Sequence, residues 1–261
     1  MARMPDWNAE RYHQVSSPQQ TWGRRVLERL PLAGSEHVLD LGCGTGRITA
    51  EIHRRLPDGY LVAADRSDAM VAGASMWLRQ HARGAAVVQA DAAALPFRRA
   101  FDAIFSGATF HWVLDHAALF RSIITALKPG GRLVAQCGGA GNLAILRARA
   151  DRLRDDPRFA AFYHEWTEPW YYADVESTRR RLAAAGFADI DVSLEEAPTP
   201  FDGPEPFRDF IATVCLRHHL EPLPPQERKL FLTEMTMAAA ADVPPFTLDY
   251  WRLNIAGRRP A

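Results

Sequence analysis

The sequence has few cysteines, no excess charge and no long apolar run. The three cysteines, Cys43, Cys137 and Cys215, are scattered and odd in number, so they offer neither a disulfide framework nor a CxxC metal site. Lysine plus arginine and aspartate plus glutamate each number 31. This zero net charge disfavours general binding to nucleic acids or to anionic membranes. No stretch approaches the roughly 18 apolar residues of a membrane span.

The start and the length of the chain set further bounds. The first eight residues contain no apolar core, so we expect no signal peptide and a cytoplasmic protein with reduced thiols. The 261 residues, 48% of them hydrophobic, suffice for one sizeable domain or for one domain with an added lobe. No cluster of ligand residues indicates a metal, and we expect a monomer or a homodimer.

Short apolar strands alternate with amphipathic helices over the first half of the chain. This alternation is typical of βαβ units, in which a parallel sheet carries helices on both faces. An α/β fold is therefore predicted. The five strands are expected at 38–41, 60–64, 86–90, 101–105 and 132–137.

The alternation weakens after residue 141. Asp174 can cap a helix that runs to Ala185 and ends at Gly186, and a strand follows near 190–194. The segment 198–245 is punctuated by prolines and holds two helical stretches before a last strand at 247–256. We expect these helices to form a lid over the carboxyl edge of the sheet, and a purely structural packing layer is the alternative.

The first helix of this segment has one apolar face. At 3.6 residues per turn, Phe207, Ile211, Val214 and His218 lie on that face and Arg217 lies at its edge, whereas His219 faces roughly the other way. Arg217 could clamp a substrate carboxylate, because a guanidinium matches a carboxylate bidentately.

The most informative stretch is Leu39-Asp40-Leu41-Gly42-Cys43-Gly44-Thr45-Gly46, which joins the first strand to a helix. Glycines there permit positive φ angles and a close approach of a ligand to the backbone. The spacing G-x-G-x-G differs from the G-x-G-x-x-G of dinucleotide sites. Asp40 would repel a pyrophosphate but suits an ammonium or a sulfonium. Asp65, which ends the second strand, can accept hydrogen bonds from a ribose diol.

Four motifs in this order resemble those of a known family. They are residues 38–46, Asp65, the segment 90–97 and the turn 127–131. In combination they are similar to the class I S-adenosylmethionine-dependent methyltransferases, and the resemblance covers about 34–137. It implies a Rossmann-like sheet of seven mostly parallel strands, with a helical lid inserted before the last strand. It also implies S-adenosylmethionine as cofactor and S-adenosylhomocysteine as product.

The resemblance divides the chain and assigns residues to a site. We expect an N-terminal cap segment and helix at 1–33, the methyltransferase core at 34–197 and 246–261, and the lid at 198–245. The implied cofactor-binding residues are Asp40, Gly42, Cys43, Gly44, Gly46, Asp65, Arg66, Asp91, Ala92 and Ser106. The expected substrate-binding residues are Trp7, Tyr12, Trp112, Tyr172 and Arg217.

Further motifs resemble the branch of the family that methylates carboxylates of small acids such as trans-aconitate, or of a carrier-bound malonyl group. They lie at 6–12, 108–116 and 170–172. A small-molecule acceptor methylated on a carboxylate oxygen is therefore the leading hypothesis. Nucleic-acid methylation is disfavoured by the charge balance and by the absence of an Asn/Asp-Pro-Pro-Tyr/Phe motif after the fourth strand.

His111 decides between two kinds of acceptor. An ionised carboxylate is its own nucleophile, whereas a phenol, an amine or a carbon acid usually needs a base, and histidine is a common choice. His111 follows the fourth strand, where it could be a base, a hydrogen-bond donor or a polar lining residue. A natural-product O-, N- or C-methyltransferase with His111 as base is thus one alternative, and a cofactor-binding protein without turnover is another.

Overall fold

The computed structural model describes residues 7–261, which form nine strands and ten α-helices. The strands are β1 (His37–Leu41), β2 (Tyr60–Asp65), β3 (Ala86–Gln89), β4 (Phe101–Gly107), β5 (Leu127–Gly138), β6 (Ala188–Glu196), β7 (Thr199–Pro200), β8 (Thr247–Leu248) and β9 (Trp251–Arg258). The helices are α1 (Ala9–Val15), α2 (Ser17–Glu28), α3 (Arg47–His53), α4 (Asp68–His81), α5 (His116–Ala126), α6 (Ala144–Arg154), α7 (Val175–Ala185), α8 (Pro204–Phe210), α9 (Arg217–Leu220) and α10 (Pro225–Ala240).

Seven strands form one sheet in the order β3-β2-β1-β4-β5-β9-β6. All neighbours are parallel except β9, which runs antiparallel to both β5 and β6. The predicted seven-stranded, mostly parallel α/β sheet is therefore confirmed. The order reverses beside β1, and open α/β sheets bind ligands in the crevice at such a switch point.

Alternate side chains of the central strands enter two separate cores. Leu39 and Leu133 pack with α5 and α7 on one face, whereas Val38 and Val134 pack with α2 and α3 on the other. Both faces are apolar, because parallel strands are covered by helices on both sides. The sheet is therefore a rigid support for the loops at its carboxyl edge.

Local capping explains several helix boundaries. The side chain of Asp174 accepts a hydrogen bond from the Ser177 amide, and Gly186 ends α7 in the left-handed conformation with φ +96°, as predicted. Helix α2 starts differently. Ser16 is its N-cap but its side chain forms no capping hydrogen bond, and Pro18 lies in the first turn.

The helical layer above the carboxyl edge has its own core. It contains α8 and α10, but also Leu146 and Ala150 of α6, Phe159 and Tyr163. The sequence pattern did not predict α6, because this arginine-rich helix buries only these two residues of its own. The helical layer thus extends beyond the 198–245 segment.

The phase of the helix after Pro206 also differs from the prediction. Residues Ile211–Cys215 form a π-helical turn between α8 and α9, and each wide turn shifts the residues after it around the axis. His219, expected to face away from the apolar stripe, is consequently 1% exposed and packs on Trp166 and Trp170. A helix pattern with a constant 3.6 residues per turn therefore predicts the wrong face for His219.

Candidate functional site: a glycine loop beside an aromatic cluster

The loop between β1 and α3 lies close to two neighbouring strands. Gly42, Gly44 and Gly46 have φ angles of +77°, +54° and +83°. The amides of Gly42 and Cys43 both donate to the carbonyl oxygen of Ala64, at 2.7 and 3.0 Å. A β-carbon on Gly42 would lie 2.0 Å from Oγ1 of Thr109. The first glycine is therefore needed for its backbone angle and for the close approach of the turn after β4.

Asp65 holds the same loop from the end of β2. Its Oδ2 accepts the Gly44 amide at 3.0 Å, and its Oδ1 accepts the Ser67 amide at 2.9 Å. Burial raises the pKa of Asp65, while these backbone hydrogen bonds oppose the rise. The carboxylate thus has a fixed orientation, and each oxygen keeps a lone pair for a further donor.

Asp40 lies beneath the loop and is almost fully buried. Its Oδ2 accepts a hydrogen bond of 2.6 Å from the hydroxyl of Thr49. Burial raises the pKa of Asp40 to about 7, and the charge of Asp65 adds to this effect. A cationic ligand group at this place would favour the ionised form.

A cleft runs along the loop, and α1 crosses it. Tyr12, Asp40, Gly42, Cys43 and Gly44 are among the lining residues. Helix α1 is tied to the loop side because His13 Nδ1 lies 2.8 Å from the hydroxyl of Thr45. On the side of the helical layer, Arg11 pairs with Asp209 of α8 at 2.5 Å. The N-terminal helix thus bridges the glycine loop and the helical layer.

An aromatic cluster continues from the cleft toward the helical layer. It consists of Trp7, Tyr12, Trp112, Trp170 and Tyr172. The ring of Trp7 lies 5.4 Å from that of Tyr12 and 5.5 Å from that of Trp112, and Trp112 lies 5.7 Å from Trp170. The guanidinium of Arg217 stands 4.4 Å above the ring of Trp7. The structure therefore brings all five predicted substrate-binding residues to one region, where Tyr12 borders the cleft.

His111 lies on the inner side of this cluster. Its ring is 5.6 Å from that of Tyr172, and its Nδ1 accepts the Gly138 amide at 3.2 Å. Burial lowers the pKa of His111 well below its usual value, and the charge of Arg252 lowers it further. The imidazole is therefore neutral at pH 7, and the accepted amide places its proton on Nε2.

The remaining four predicted cofactor residues lie outside the glycine loop. Ser106 is buried and donates its hydroxyl to the Leu41 carbonyl at 2.6 Å, so this side chain ties β4 to β1 instead of facing the cleft. Arg66 is exposed after β2. Asp91 is exposed after β3 and accepts the Ala93 amide, and Ala92 is buried beside it.

Two residues of the site were not predicted. Thr109 donates to the carbonyls of Gly42 and Gly107 and so joins the loop to the end of β4. Arg252 is 2% exposed on β9, where its guanidinium stands 4.4 Å above the Trp22 ring. The sequence signal that could have identified Arg252 is the presence of an arginine inside an otherwise buried strand.

Comparisons with known proteins identify the family. A family model described as a methyltransferase domain matches residues 38–131. The trans-aconitate 2-methyltransferase of Methylobacterium radiotolerans is 32% identical over 252 residues, which cover 93% of this chain and 92% of that protein. The chain belongs to the class I S-adenosylmethionine-dependent methyltransferases. The trans-aconitate 2-methyltransferase of Shigella flexneri is a further relative of this methyltransferase, 29% identical over 98% of the chain and 99% of the relative.

Solved structures share the fold of this methyltransferase. The YcgJ protein of Bacillus subtilis superposes with a TM-score of 0.64 at 17% identity and covers 93% of this chain and 99% of its own. A phosphoethanolamine N-methyltransferase of Haemonchus contortus, solved with phosphomonomethylethanolamine and S-adenosylhomocysteine, has a TM-score of 0.64 at 18% identity. The match covers 97% of this chain and 57% of that one.

The methyltransferase is thus an enzyme that uses S-adenosylmethionine, as predicted from the motifs. The described residues fit this cofactor, because a buried acid and a glycine backbone line one cleft, and the fixed carboxylate of Asp65 is hydrogen-bonded to that backbone at Gly44. Within residues 7–261, no helix is long and apolar enough to cross a membrane.

Proposed function

We propose that this methyltransferase methylates a carboxylate oxygen of a small organic acid of the trans-aconitate type. When bound, the cofactor supplies a methyl group that its sulfonium already activates. The protein has to hold the carboxylate in line with that methyl group and to exclude water. Such orientation can lower a barrier by about 7–11 kcal/mol.

The state of His111 carries the proposal. A general base needs a free lone pair, but Nδ1 of His111 already accepts the Gly138 amide. The remaining nitrogen, Nε2, carries the proton and can only donate. This donor suits an ionised carboxylate, which needs no base, and does not suit a phenol or an amine, which must lose a proton.

The surroundings of the aromatic cluster support an anionic acceptor. Arg217 is half-buried there, and its Nη2 donates to Nε2 of His218 at 3.0 Å. Burial and the charge of Arg217 lower the pKa of His218 to about 4, so this histidine is also neutral. Arg217 thus places a positive charge beside Trp7, and the named activity of the relatives is of the same kind.

We assign the cofactor's parts to the residues at the strand ends. Asp65 would accept the ribose hydroxyls, and Asp40 would face the amino group. Asp91 and the amide of Ala92 would meet the adenine. The backbones of Gly42, Gly44 and Gly46 would lie along the methionine part. These roles follow the family resemblance, and the fixed orientation of the Asp65 carboxylate supports the first of them.

We also propose that α1 and the helical layer close the acceptor site. We keep the division of the chain into a cap segment and helix at 1–33, a core at 34–197 and 246–261, and a lid at 198–245. Helix α6 is the one change: we add it to the helical layer because it shares the core of α8 and α10. The ion pair between Arg11 and Asp209 would hold α1 against this layer.

Two substitutions of His111 distinguish its role as a hydrogen-bond donor from a role as a general base. His111→Gln keeps an N–H donor and should retain kcat/KM for trans-aconitate within about tenfold, whereas His111→Leu should lose about 100-fold, the value of a hydrogen bond to a charged group. Steady-state kinetics with purified variants measures both.

A base at this position would give another pattern. Both variants would then lose about 10²–10⁴-fold, because neither side chain can take a proton. The Kd for S-adenosylhomocysteine should remain at the wild-type value in both variants. The melting temperature should remain so in His111→Gln, whose amide oxygen can accept the Gly138 amide, and should fall in His111→Leu, which leaves this buried amide without an acceptor.

Asp40 predicts a pH dependence of cofactor binding. Its pKa of about 7 means that the carboxyl is largely protonated below pH 7, and a bound ammonium group favours the ionised form. The affinity for S-adenosylhomocysteine should therefore rise with pH, by up to about tenfold per unit, and level off above about pH 7. Calorimetry between pH 5.5 and 8.5 measures this slope.

The same pKa acts in the opposite direction on the stability of the free protein. Because the folded-state pKa lies above the unfolded value, the contribution of Asp40 to the unfolding free energy decreases as pH rises from about 4 to 7.

Asp40→Asn should abolish the rise of cofactor affinity with pH. Asp102→Asn, which removes an acid bonded to Lys128 at the other end of the sheet, should leave it intact. A flat wild-type profile would contradict the assignment of Asp40.

A further inference from the structure

Arg252 is a buried cation without an anionic partner in the part of the chain that the structure describes. It forms no ion pair among residues 7–261, and its Nη2 has no hydrogen-bond partner there. Its Nε donates to Oε1 of Gln136 at 3.3 Å, and Gln136 is held by a bond of 2.8 Å to Oδ1 of Asn254. Gln136 also donates to Glu195 at 3.3 Å, and Glu195 is the residue opposite Arg252 on β6. Within the described residues, the group that accepts from Nε of Arg252 is nevertheless the neutral amide of Gln136, and Glu195 forms no ion pair with the guanidinium.

Such a group is costly to bury unless an anion compensates it. The guanidinium lies over the rings of Trp22 at 4.4 Å and of Tyr250 at 5.9 Å, and these cation–π contacts offset only part of this cost. Burial lowers the pKa of Arg252, which is the direction expected for a cation without a counter-ion. A buried arginine of this kind is suited to receive the anionic group of a ligand.

The position of Arg252 favours the acceptor over the cofactor. Its charge acts on His111, Tyr172 and Tyr12, which all lie in or beside the aromatic cluster, and of these Tyr12 also borders the cleft along the glycine loop. Residue 252 pairs with Gly138 on β5, next to the amide that His111 accepts. The glycine loop follows β1, three strands away, which is about 14 Å at the usual strand spacing.

We propose that the guanidinium of Arg252 binds a second carboxylate of the acceptor, so that the enzyme selects di- and tricarboxylates over monocarboxylates. This inference rests on the proposed function, in which the first carboxylate is methylated beside His111. A carboxylate is also present on the methionine part of the cofactor, so the test has to distinguish the two sources.

The test compares two acids in the wild type and in three variants. Arg252→Met keeps the length of the side chain but removes the charge. In that variant kcat/KM for trans-aconitate, a tricarboxylate, should fall about 100-fold, mainly through KM, because a buried charged hydrogen-bond partner is lost. For crotonate, a monocarboxylate with a similar double bond, the change should be less than about threefold.

Arg149→Met is the matched control. Arg149 is a partly buried arginine that is paired with Asp242 through two hydrogen bonds. Its loss should lower the melting temperature and leave the preference between the acids unchanged. Arg252→Met should not lower the melting temperature of the ligand-free protein, because it removes an uncompensated charge. Arg252→Lys, which keeps the charge without the planar fork, should show an intermediate preference.

Three results would overturn the proposal. An equal loss with both acids would indicate a general role, and a marked fall in melting temperature in Arg252→Met would indicate a structural one. A weaker affinity for S-adenosylhomocysteine would assign Arg252 to the cofactor. If the wild type methylates neither acid, the proposed function fails. Calorimetry of trans-aconitate binding to the S-adenosylhomocysteine complex, in the wild type and in Arg252→Met, then decides the inference by itself.

Discussion

Replacing Asp65 with alanine is expected to weaken the binding of S-adenosylhomocysteine by about 1000-fold. The carboxylate accepts the amides of Gly44 and Ser67, so it is already oriented before the ribose hydroxyls donate to it. The variant loses two charge-assisted hydrogen bonds to the ligand, each about 1.5–3 kcal/mol, and about 4 kcal/mol together corresponds to the stated factor. Calorimetry measures the Kd directly.

Glu36 offers a matched control for this prediction. Its carboxylate also holds a turn beside β1, by accepting the amides of Ala33 and Gly34 at 2.7 and 2.8 Å, but at the amino end of the strand. Glu36→Ala should therefore reduce stability without changing the Kd. Asp65→Asn should lie between the wild type and Asp65→Ala, because it keeps one acceptor oxygen. A Kd in Asp65→Ala within threefold of the wild type would disprove the ribose assignment.

Gly42→Ala should weaken cofactor binding by more than about 1000-fold. An alanine at φ +77° is strained by about 1–2 kcal/mol, and its β-carbon would stand 2.0 Å from Oγ1 and 2.6 Å from Cβ of Thr109. The collision cannot be relieved without moving the loop or the turn after β4. Either movement displaces the backbone along which the methionine part would lie.

Gly84→Ala is the control that distinguishes the effect of backbone strain from that of the steric clash with Thr109. Gly84 has φ +100°, but a β-carbon there would meet nothing within 4 Å. This variant should lose about 1–2 kcal/mol of unfolding free energy and keep the wild-type Kd. If Gly42→Ala binds S-adenosylhomocysteine as Gly84→Ala does, the close approach of the loop is not needed for binding.

The sequence predicted those parts of the fold that depend on local chemistry. The alternation of strands and helices, the glycine loop and the capping of α7 by Asp174 and Gly186 all follow from neighbours in the chain. It did not predict α6, whose arginine-rich surface hides a short apolar stripe. Nor did it predict the π-helical turn at Ile211–Cys215, which depends on packing between helices.

The candidate site shows the same limit more sharply. Residue type and order were enough to select His111 and Asp65 as candidates. Their hydrogen-bond partners depend on strands that are distant in the sequence, as when Gly138 of β5 donates to His111. The donor state of His111 and the burial of Arg252 follow only from this assembly, because strand order places β9 beside β5.

The most direct test is to identify the product formed from trans-aconitate and methyl-labelled S-adenosylmethionine. Methylation of a carboxylate oxygen should give one labelled methyl group per acceptor, attached as an ester that releases labelled methanol in alkali. A labelled product that resists alkali, as an ether, an amine or a carbon-methylated acid would, contradicts methylation of a carboxylate oxygen.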